Sequence, residues 1–215
     1  AIELNPTFAD AHSNLGSVLK DLGNLQEAEL STRKAIELNP NFAEAHLTLG
    51  NILKDLGNLQ EAEVSTRKAI KIKPSFADAH SNLGNILRDL GKLQEAKQCY
   101  CQAIELNPTF ADAHSNLGNI LIDLGSLQEA ELSIRKAIDI DPKSAKYKLN
   151  LGINQYALGD INSSLETLES AYKLDPNDPL ITTLLAIFKE RKKNKPKNLR
   201  VENIIHSLLD EQSDW

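Results

Sequence analysis

The sequence predicts an all-α, right-handed solenoid of helix-turn-helix units, because its helix-breaking residues recur with one fixed period. Prolines stand 34 residues apart at Pro6, Pro40, Pro74, Pro108, Pro142 and Pro176. All ten glycines form five pairs with the same step, namely Gly16 and Gly23, Gly50 and Gly57, Gly84 and Gly91, Gly118 and Gly125, and Gly152 and Gly159. The segment FADAHSNLG occurs at 8–16, 76–84 and 110–118. A fixed period of this length is the signature of a stacked repeat array.

The period divides most of the chain into five repeats, at 9–42, 43–76, 77–110, 111–144 and 145–178. In the first repeat, apolar residues with helical spacing are Ala11, Leu15, Val18, Leu19 and Leu22. Gly23 is placed to end this helix. A second helix is predicted from about Leu25 to Leu38, where Asn39-Pro40 stops it because proline disfavours a helical residue before it. Each repeat is therefore predicted to be a pair of helices.

The two ends of the array differ from its middle. Residues 1–8 match the end of a second helix, so we expect a truncated repeat there and further repeats upstream. Asp178-Pro179 predicts a new helix, with a capping carboxylate followed by proline in the first turn. We expect segment 179–194 to cap the stack through Leu180, Ile181, Leu184, Leu185, Ile187 and Phe188. Residues 195–215 are interpreted as a basic linker and a short amphipathic helix.

Charge limits the classes of partner. The net charge is -6, and residues 1–188 hold 17 basic and 25 acidic residues, a balance of -8. This excess of acid argues against nucleic acid as the main partner. No stretch approaches the roughly 18 consecutive apolar residues of a membrane span, so no membrane partner is predicted. The basic run within 189–200 stays open between a solvated helix end, a nucleic-acid or anionic-membrane contact, and a targeting signal.

No catalytic residue, cofactor or metal site is predicted. Every glycine serves the repeat geometry, which leaves no phosphate-binding loop. Successive histidines occupy one packing position in different helix pairs, roughly 10 Å apart, whereas metal ligands lie within about 2–3 Å of one ion. These histidines are His12, His46, His80 and His114. Cys99 and Cys101 point to nearly opposite sides of a helix and are interpreted as free thiols, which favours a reducing compartment such as the cytoplasm.

The repeats resemble the tetratricopeptide repeat (TPR), whose period is 34 residues. The first repeat carries the pattern as His12, Leu15, Gly16, Leu19, Ala28, Thr32, Ala35 and Pro40. The resemblance covers residues 1–178. It implies that the small residues Gly16 and Ala28 let the two helices of a pair approach closely. It also implies that the first helices line a concave face with their second, fifth, sixth, ninth, twelfth and thirteenth positions.

Asparagines dominate two of these positions, and acids a third. The sixth position holds Asn14, Thr48, Asn82, Asn116 and Asn150. The ninth position holds Ser17, Asn51, Asn85, Asn119 and Ile153. The second position holds Asp10, Glu44, Asp78, Asp112 and Lys146. An asparagine amide can donate to and accept from one peptide group, so these columns are predicted to hold an extended peptide by its backbone in a polar, acidic groove.

The phrase AHSNLG in the first, third and fourth repeats resembles the repeats of the O-linked N-acetylglucosamine transferase family. Asn14, Asn82, Asn116 and Asn150 match its asparagine ladder and Thr48 does not.

We therefore interpret the chain as a protein-interaction scaffold without enzymatic activity of its own. Two alternatives stay open: the substrate-recruiting region of a larger protein O-glycosyltransferase, and self-association through open repeat ends. The columns would have no function if duplication merely copied asparagines that are solvated at exposed helix positions. A two-lysine clamp for a terminal carboxylate is not predicted, because its positions carry acids and Ser13, Leu47, Ser81 and Ser115.

Overall fold

The computed structural model of the protein describes residues 8–193, which contain eleven α-helices and no strand. The helices are α1 (Ala9–Asp21), α2 (Leu25–Leu38), α3 (Ala43–Asp55), α4 (Leu59–Ile72), α5 (Ala77–Asp89), α6 (Leu93–Leu106), α7 (Ala111–Asp123), α8 (Leu127–Ile140), α9 (Ala145–Ala157), α10 (Ile161–Leu174) and α11 (Pro179–Lys193). The predicted truncated repeat, apart from Phe8, and the predicted linker and helix at 195–215 lie outside this range.

Consecutive helices pack in pairs, and the chain forms two compact units. The N-terminal unit extends to Pro108 and holds the pairs α1–α2, α3–α4 and α5–α6. The C-terminal unit begins at Thr109 and holds α7–α8, α9–α10 and α11. Within each unit the second helix of one pair also packs on the first helix of the next. The all-α prediction is confirmed, and each predicted repeat contains one helix-turn-helix pair. We call the first helix of each pair the A helix and the second the B helix.

A glycine turn joins the two helices of each pair. Gly23 has φ +80°, a conformation that L side chains rarely adopt. Its N–H donates to the Lys20 carbonyl at 2.9 Å, and the Asn24 N–H donates to the Leu19 carbonyl at 2.9 Å. These two bonds form a Schellman motif, which satisfies carbonyls that the end of α1 leaves without a helical partner. The four equivalent glycines also have positive φ.

A second glycine lets the paired helices touch. Gly16 faces Thr32, and Gly84 faces Tyr100, whose Cε1 would lie 2.7 Å from a Cβ built on Gly84. Such a contact is closer than packed atoms tolerate, so a side chain here would force the helices apart. Ala28 and Ala35 on α2 are fully buried beside this contact. The predicted close approach is confirmed.

Helix α1 differs from the other A helices because no described helix precedes it. Leu15, Val18 and Leu22 of its apolar stripe are exposed, and Leu22 is 69% exposed. The equivalent Leu49 and Ile52 of α3 are 5% and 0% exposed, since α2 packs against them from the preceding repeat. The apolar stripe of α1 is therefore uncovered within residues 8–193, although its residues have the same pattern as those of α3.

Helix α11 covers α9 and α10 in the C-terminal unit. Its Ile181, Leu184, Leu185 and Phe188 are buried with Leu149, Ile153, Leu165, Leu168 and Ala171, while Leu180 and Ile187 pack at the edge. The Asp178 carboxylate accepts hydrogen bonds from the N–H groups of Leu180 at 2.8 Å and Ile181 at 3.0 Å. Asp178 is therefore an N-cap, as the sequence indicates.

We expect Leu184→Ala to cost about 2–5 kcal/mol of stability, because it removes a fully buried side chain and leaves a cavity. The matched control is Leu132→Ala on α8, where the side chain is 71% exposed and the loss should stay within about 0.5 kcal/mol. Urea unfolding followed by circular dichroism compares the two. Equal midpoints for both variants would contradict the role of α11 as a packed cap.

Candidate functional site

The three predicted columns lie on the A helices, but their members differ in exposure. At the second position Asp10, Glu44, Asp78 and Asp112 are all exposed. At the ninth position the half-buried residues are Ser17, Asn51, Asn85 and Asn119. At the sixth position Asn14 is exposed, while Thr48, Asn82 and Asn116 are half-buried. The columns therefore combine accessible side chains with partial shielding from water.

Asn150 does not belong to the accessible set. It is 4% exposed, and its Nδ2 donates to the Ser115 Oγ on α7 at 2.9 Å. The amide therefore joins two A helices of the C-terminal unit and cannot reach a peptide. Its assignment to the predicted peptide-binding residues is corrected on this point. Ile153 at the ninth position of the same helix is buried as well.

The fifth position is also absent from the surface. The residues found there are all buried, namely Ser13, Leu47, Ser81, Ser115 and Leu149. Small or apolar side chains at this position fit between neighbouring A helices, as the hydrogen bond from Asn150 to Ser115 illustrates. The prediction that the fifth position lines the groove is therefore wrong.

A polar pocket of about 140 Å³ lies on the A helices of the N-terminal unit. Its lining residues are Lys20, Asn51, Lys54, Asp55, Asn82 and Asn85. The pocket brings together both asparagines of α5 and one of α3. It also includes two lysines from the twelfth position, which was expected on the concave face but was not among the predicted binding residues. The signal for them was a basic residue recurring at Lys20, Lys54 and Arg88.

The side chain of Asn85 in this pocket is held by a hydrogen bond from helix α6. The Tyr100 hydroxyl on α6 donates to the Asn85 Oδ1 at 2.8 Å, and the Tyr100 side chain is fully buried against Gly84. Burial raises the pKa of the Tyr100 hydroxyl, so it remains a donor throughout the physiological pH range. The hydrogen bond therefore holds the Asn85 side chain in one orientation.

Cations neutralise part of the acidic column. Lys73 donates to Glu44 at 2.9 Å, and this hydrogen bond lowers the pKa of the Glu44 carboxyl. Asp112 accepts from Lys146 at 3.2 Å and from the Tyr147 hydroxyl at 3.0 Å. Asp10 and Asp78 have no ion pair with any residue of the described range. The second position therefore presents free carboxylates in only some repeats.

Two of the histidines hold their A helices to the preceding loops. The Nε2 atoms of His46 and His80 lie 3.0 Å from the carbonyls of Pro40 and Pro74, which ties each A helix to the loop before it. Cys99 and Cys101 are free thiols, and burial raises the pKa of Cys99 to about 11, so its reactive thiolate is scarce at neutral pH.

Within residues 8–193 no three His, Cys, Asp or Glu side chains are arranged to hold a metal ion. None of the described helices is long and apolar enough to cross a membrane.

Solved structures with the same fold are numerous, whereas no curated protein matches the chain. YrrB, described as a TPR protein with an unusual peptide-binding site, is 26% identical with a TM-score of 0.65, over 85% of this chain and 94% of YrrB. TTC0263, a thermophilic TPR protein of Thermus thermophilus, is 21% identical with a TM-score of 0.70, over 84% of this chain and 98% of its own. One chain in the structure of the APC/C hetero-tetramer Cut9–Hcn1 is 17% identical with a TM-score of 0.81. The match covers 97% of this chain and 44% of the matched chain.

Family models agree with the fold. The tetratricopeptide repeat models match residues 9–42, 32–64, 111–144 and 145–178, and the TPR repeat model matches 50–87 and 84–125. Together these matches cover residues 9–178 without a gap, a range that contains the five helix pairs, their glycine turns and their glycine contacts. The chain therefore belongs to the tetratricopeptide repeat family.

Proposed function

We propose that the protein is an interaction scaffold that binds extended segments of partner proteins on the A helices of its N-terminal unit. The observation that carries this proposal is the pocket in which Asn51, Asn82 and Asn85 converge. The side-chain amides of Asn51 and Asn82 make no hydrogen bond to other residues of the described range. Each can therefore donate to and accept from a peptide group of a bound segment.

Backbone recognition fits the spacing of these residues. Asn51 and Asn85 stand at the same position of neighbouring repeats, so equivalent amides recur along the stack. A segment held through its peptide groups is bound with little dependence on its side chains. TPR proteins bind protein or peptide partners, and the description of YrrB, at 26% identity, names a peptide-binding site in that protein.

Acidic side chains beside the amides would give the groove a preference for segments with basic or polar side chains. Asp10 and Asp78 are exposed and lack a cationic partner among residues 8–193. A basic or polar side chain of the bound segment would find a complementary charge at this edge of the groove. The free thiols, together with the absence of a disulfide among the described residues, are consistent with the cytoplasm as the compartment that we propose.

A second candidate function is substrate recruitment for a protein O-glycosyltransferase. It rests on the phrase AHSNLG at 11–16, 79–84 and 113–118, with its asparagine at the sixth position. Both candidates use the same groove and differ only in the fate of the bound segment. Capture of segments rich in Ser and Thr that carry the sugar modification would favour this candidate over a general scaffold.

We expect the double variant Asn51→Ala/Asn82→Ala to weaken binding of many different peptides to a similar extent. Each lost hydrogen bond contributes roughly 0.5–1.5 kcal/mol, so two to four lost bonds should cost about 1–6 kcal/mol. Binding is measured on an array of nine-residue peptides, with Asn162→Ala on the exposed surface of α10 as the control. If the double variant keeps its circular dichroism and binds every peptide as the parent does, the asparagines do not bind peptides.

We expect Asp10→Asn/Asp78→Asn to weaken binding of basic peptides in particular, and more at low salt, where charges are poorly screened. The control Glu27→Gln/Glu166→Gln removes the same charge from exposed positions of α2 and α10. Fluorescence anisotropy with matched lysine- and glutamine-containing peptides at two salt concentrations separates the effects. A loss that is equal for both peptides and both variant pairs would contradict a role for the acidic column.

We also propose that the exposed apolar face of α1 associates with a second copy of the chain. Phe8, Leu15, Val18 and Leu22 are exposed there, whereas the equivalent face of α3 is buried by a neighbouring helix. We expect concentration-dependent association in sedimentation velocity, abolished by Val18→Glu/Leu22→Glu. The control Leu30→Glu/Val64→Glu changes equally exposed residues on α2 and α4 and should leave association unchanged. A strict monomer at high concentration would refute this proposal.

A further inference from the structure

A second groove, of about 470 Å³, lies between the B helices α2 and α4 of the N-terminal unit, and α3 contributes to its lining. We call it the B-helix groove. Its lining residues are Arg33, Ile36, Glu37, His46, Leu49, Glu61, Val64, Ser65 and Lys68. It shares no residue with the polar pocket on the A helices. Clefts that hold ligands or large side chains typically measure roughly 300–1,000 Å³, so the B-helix groove is large enough to take a side chain of a partner.

The uncharged part of the lining offers apolar contact. The Ser65 Oγ donates to the His46 carbonyl at 2.9 Å, and the His46 Nε2 lies 3.0 Å from the Pro40 carbonyl. These polar groups are therefore already engaged within the protein. The other uncharged lining residues are apolar, namely Ile36, Leu49 and Val64. A guest in this part of the groove would gain chiefly from removal of apolar surface from water.

Val64 is the most exposed apolar residue of the groove, at 69%. Valine is a poorer helix former than glutamine, which stands at the equivalent position Gln98 of the next repeat. Neither burial nor helix propensity therefore accounts for the valine. Single exposed apolar residues are common, but Val64 lies in one groove with the half-buried Ile36. Together they present a continuous apolar surface on the B helices.

The charges of the lining are paired except at one end of the groove. At the N-terminal end, the Arg33 Nη2 on α2 donates to the Glu61 Oε1 on α4 at 2.6 Å. Glu37 accepts from Lys34 at 2.9 Å. Lys68, at the opposite end, makes no side-chain hydrogen bond or ion pair with any other residue between 8 and 193. The charge that the groove leaves available within this range is therefore positive.

We propose that the B-helix groove docks a segment of a partner protein through one large apolar side chain, an aromatic ring or a leucine, that stands next to an acidic residue. The apolar side chain packs against Ile36 and Val64, and the acidic side chain pairs with Lys68, one helical turn or roughly 6 Å beyond Val64. Charge complementarity with Lys68 selects the acidic neighbour. The A helices stay free, so the scaffold can hold a second partner at the same time.

The next gap along the N-terminal unit lacks this combination. Between α4 and α6 the equivalent of Val64 is Gln98, and the equivalent of Lys68 is Gln102. Both side chains that define the proposed guest are thus replaced by neutral amides in the following repeat. The site therefore belongs to the gap between the first and second repeats, and Gln98 and Gln102 provide an internal control.

The first experiment titrates the folded full chain with three small probes and follows side-chain resonances by NMR. The probes are 3-phenylpropionate, which has a ring and a carboxylate, 3-phenylpropionamide, which lacks the charge, and propionate, which lacks the ring. We expect 3-phenylpropionate to shift the methyl groups of Ile36 and Val64 and to leave the amides of Gln98 and Gln102 unchanged. The amide probe should bind about threefold more weakly, because one exposed ion pair contributes little. Propionate should bind at least about tenfold more weakly, because it buries no ring.

Two variants with matched controls test the residues. Val64→Gln should weaken 3-phenylpropionate about tenfold or more, whereas Leu30→Gln, which changes an equally exposed residue of α2, should not. Lys68→Gln should abolish the preference for the carboxylate over the amide, and Lys71→Gln on the same helix should preserve it. These side chains are exposed, so circular dichroism should stay unchanged in all four variants. Equal binding of propionate and 3-phenylpropionate, unchanged binding in Val64→Gln, or a carboxylate preference that survives Lys68→Gln would overturn the proposal.

Selection of short peptides from a phage-displayed library on the parent protein tests the partner. We expect enriched peptides that carry an aromatic residue or leucine beside an acid, lose binding to Val64→Gln and keep binding to Asn51→Ala/Asn82→Ala. The second variant separates this site from the groove on the A helices. Absence of any peptide that depends on Val64 would overturn the proposal. A loss of self-association in Val64→Gln would assign the groove to a second copy of the chain and would overturn it as well.

Discussion

The contact of a glycine on each A helix with one side chain on its B helix is the constraint on which the rest of the structure depends. A Cβ at Gly84 would lie 2.7 Å from the Tyr100 ring, so the pair can pack only with glycine at that position. The facing residues differ widely in size, namely Thr32, Thr66, Tyr100, Ile134 and Leu168. Because the glycine is constant and its partner is not, the pairs keep a common architecture while each fills its contact differently. The A helices then present equivalent positions on one face of each unit.

The helices were predictable because their signals are local. Leu25–Leu38 begins and ends where the glycine turn and Asn39-Pro40 place it, and Asp178 caps α11 with its own carboxylate. The repeat period did not predict which residues from distant parts of the chain surround a given side chain. Asn14 and Asn150 share the sixth position, yet Asn14 is exposed, whereas Asn150 is buried by a bond to Ser115, 35 residues away. The apolar stripe of α1 has the composition of a buried face, but no other helix within residues 8–193 covers it as α2 covers the equivalent face of α3.

The charges, too, were predictable from local sequence, whereas their pairing between repeats was not. Net charge and the acidic second position predicted an acidic groove, but the sequence alone does not show which carboxylates already have a partner. Lys73 comes from a loop 29 residues after Glu44 and bonds to it. Lys20 and Lys54 point toward Asp55 and Asp89 of the next repeat at distances too long for a good hydrogen bond. The charge that the A helices present therefore depends on contacts between repeats, which cannot be read from the order of charges within one repeat.

Duplication explains why asparagines recur every 34 residues, but it does not explain the residues that changed around them. The position that faces the glycine is Thr32 in the first repeat and Thr66 in the second, and it becomes Tyr100 in the third. Only a side chain of that length crosses the pair and reaches Asn85 with its hydroxyl. The threonine at the equivalent position of the first repeat turns back instead and donates to the Ala28 carbonyl of its own helix. The third repeat therefore departs from its copies at a point that fixes an asparagine of the polar pocket. The same bond satisfies the Tyr100 hydroxyl, which burial would otherwise leave without an acceptor.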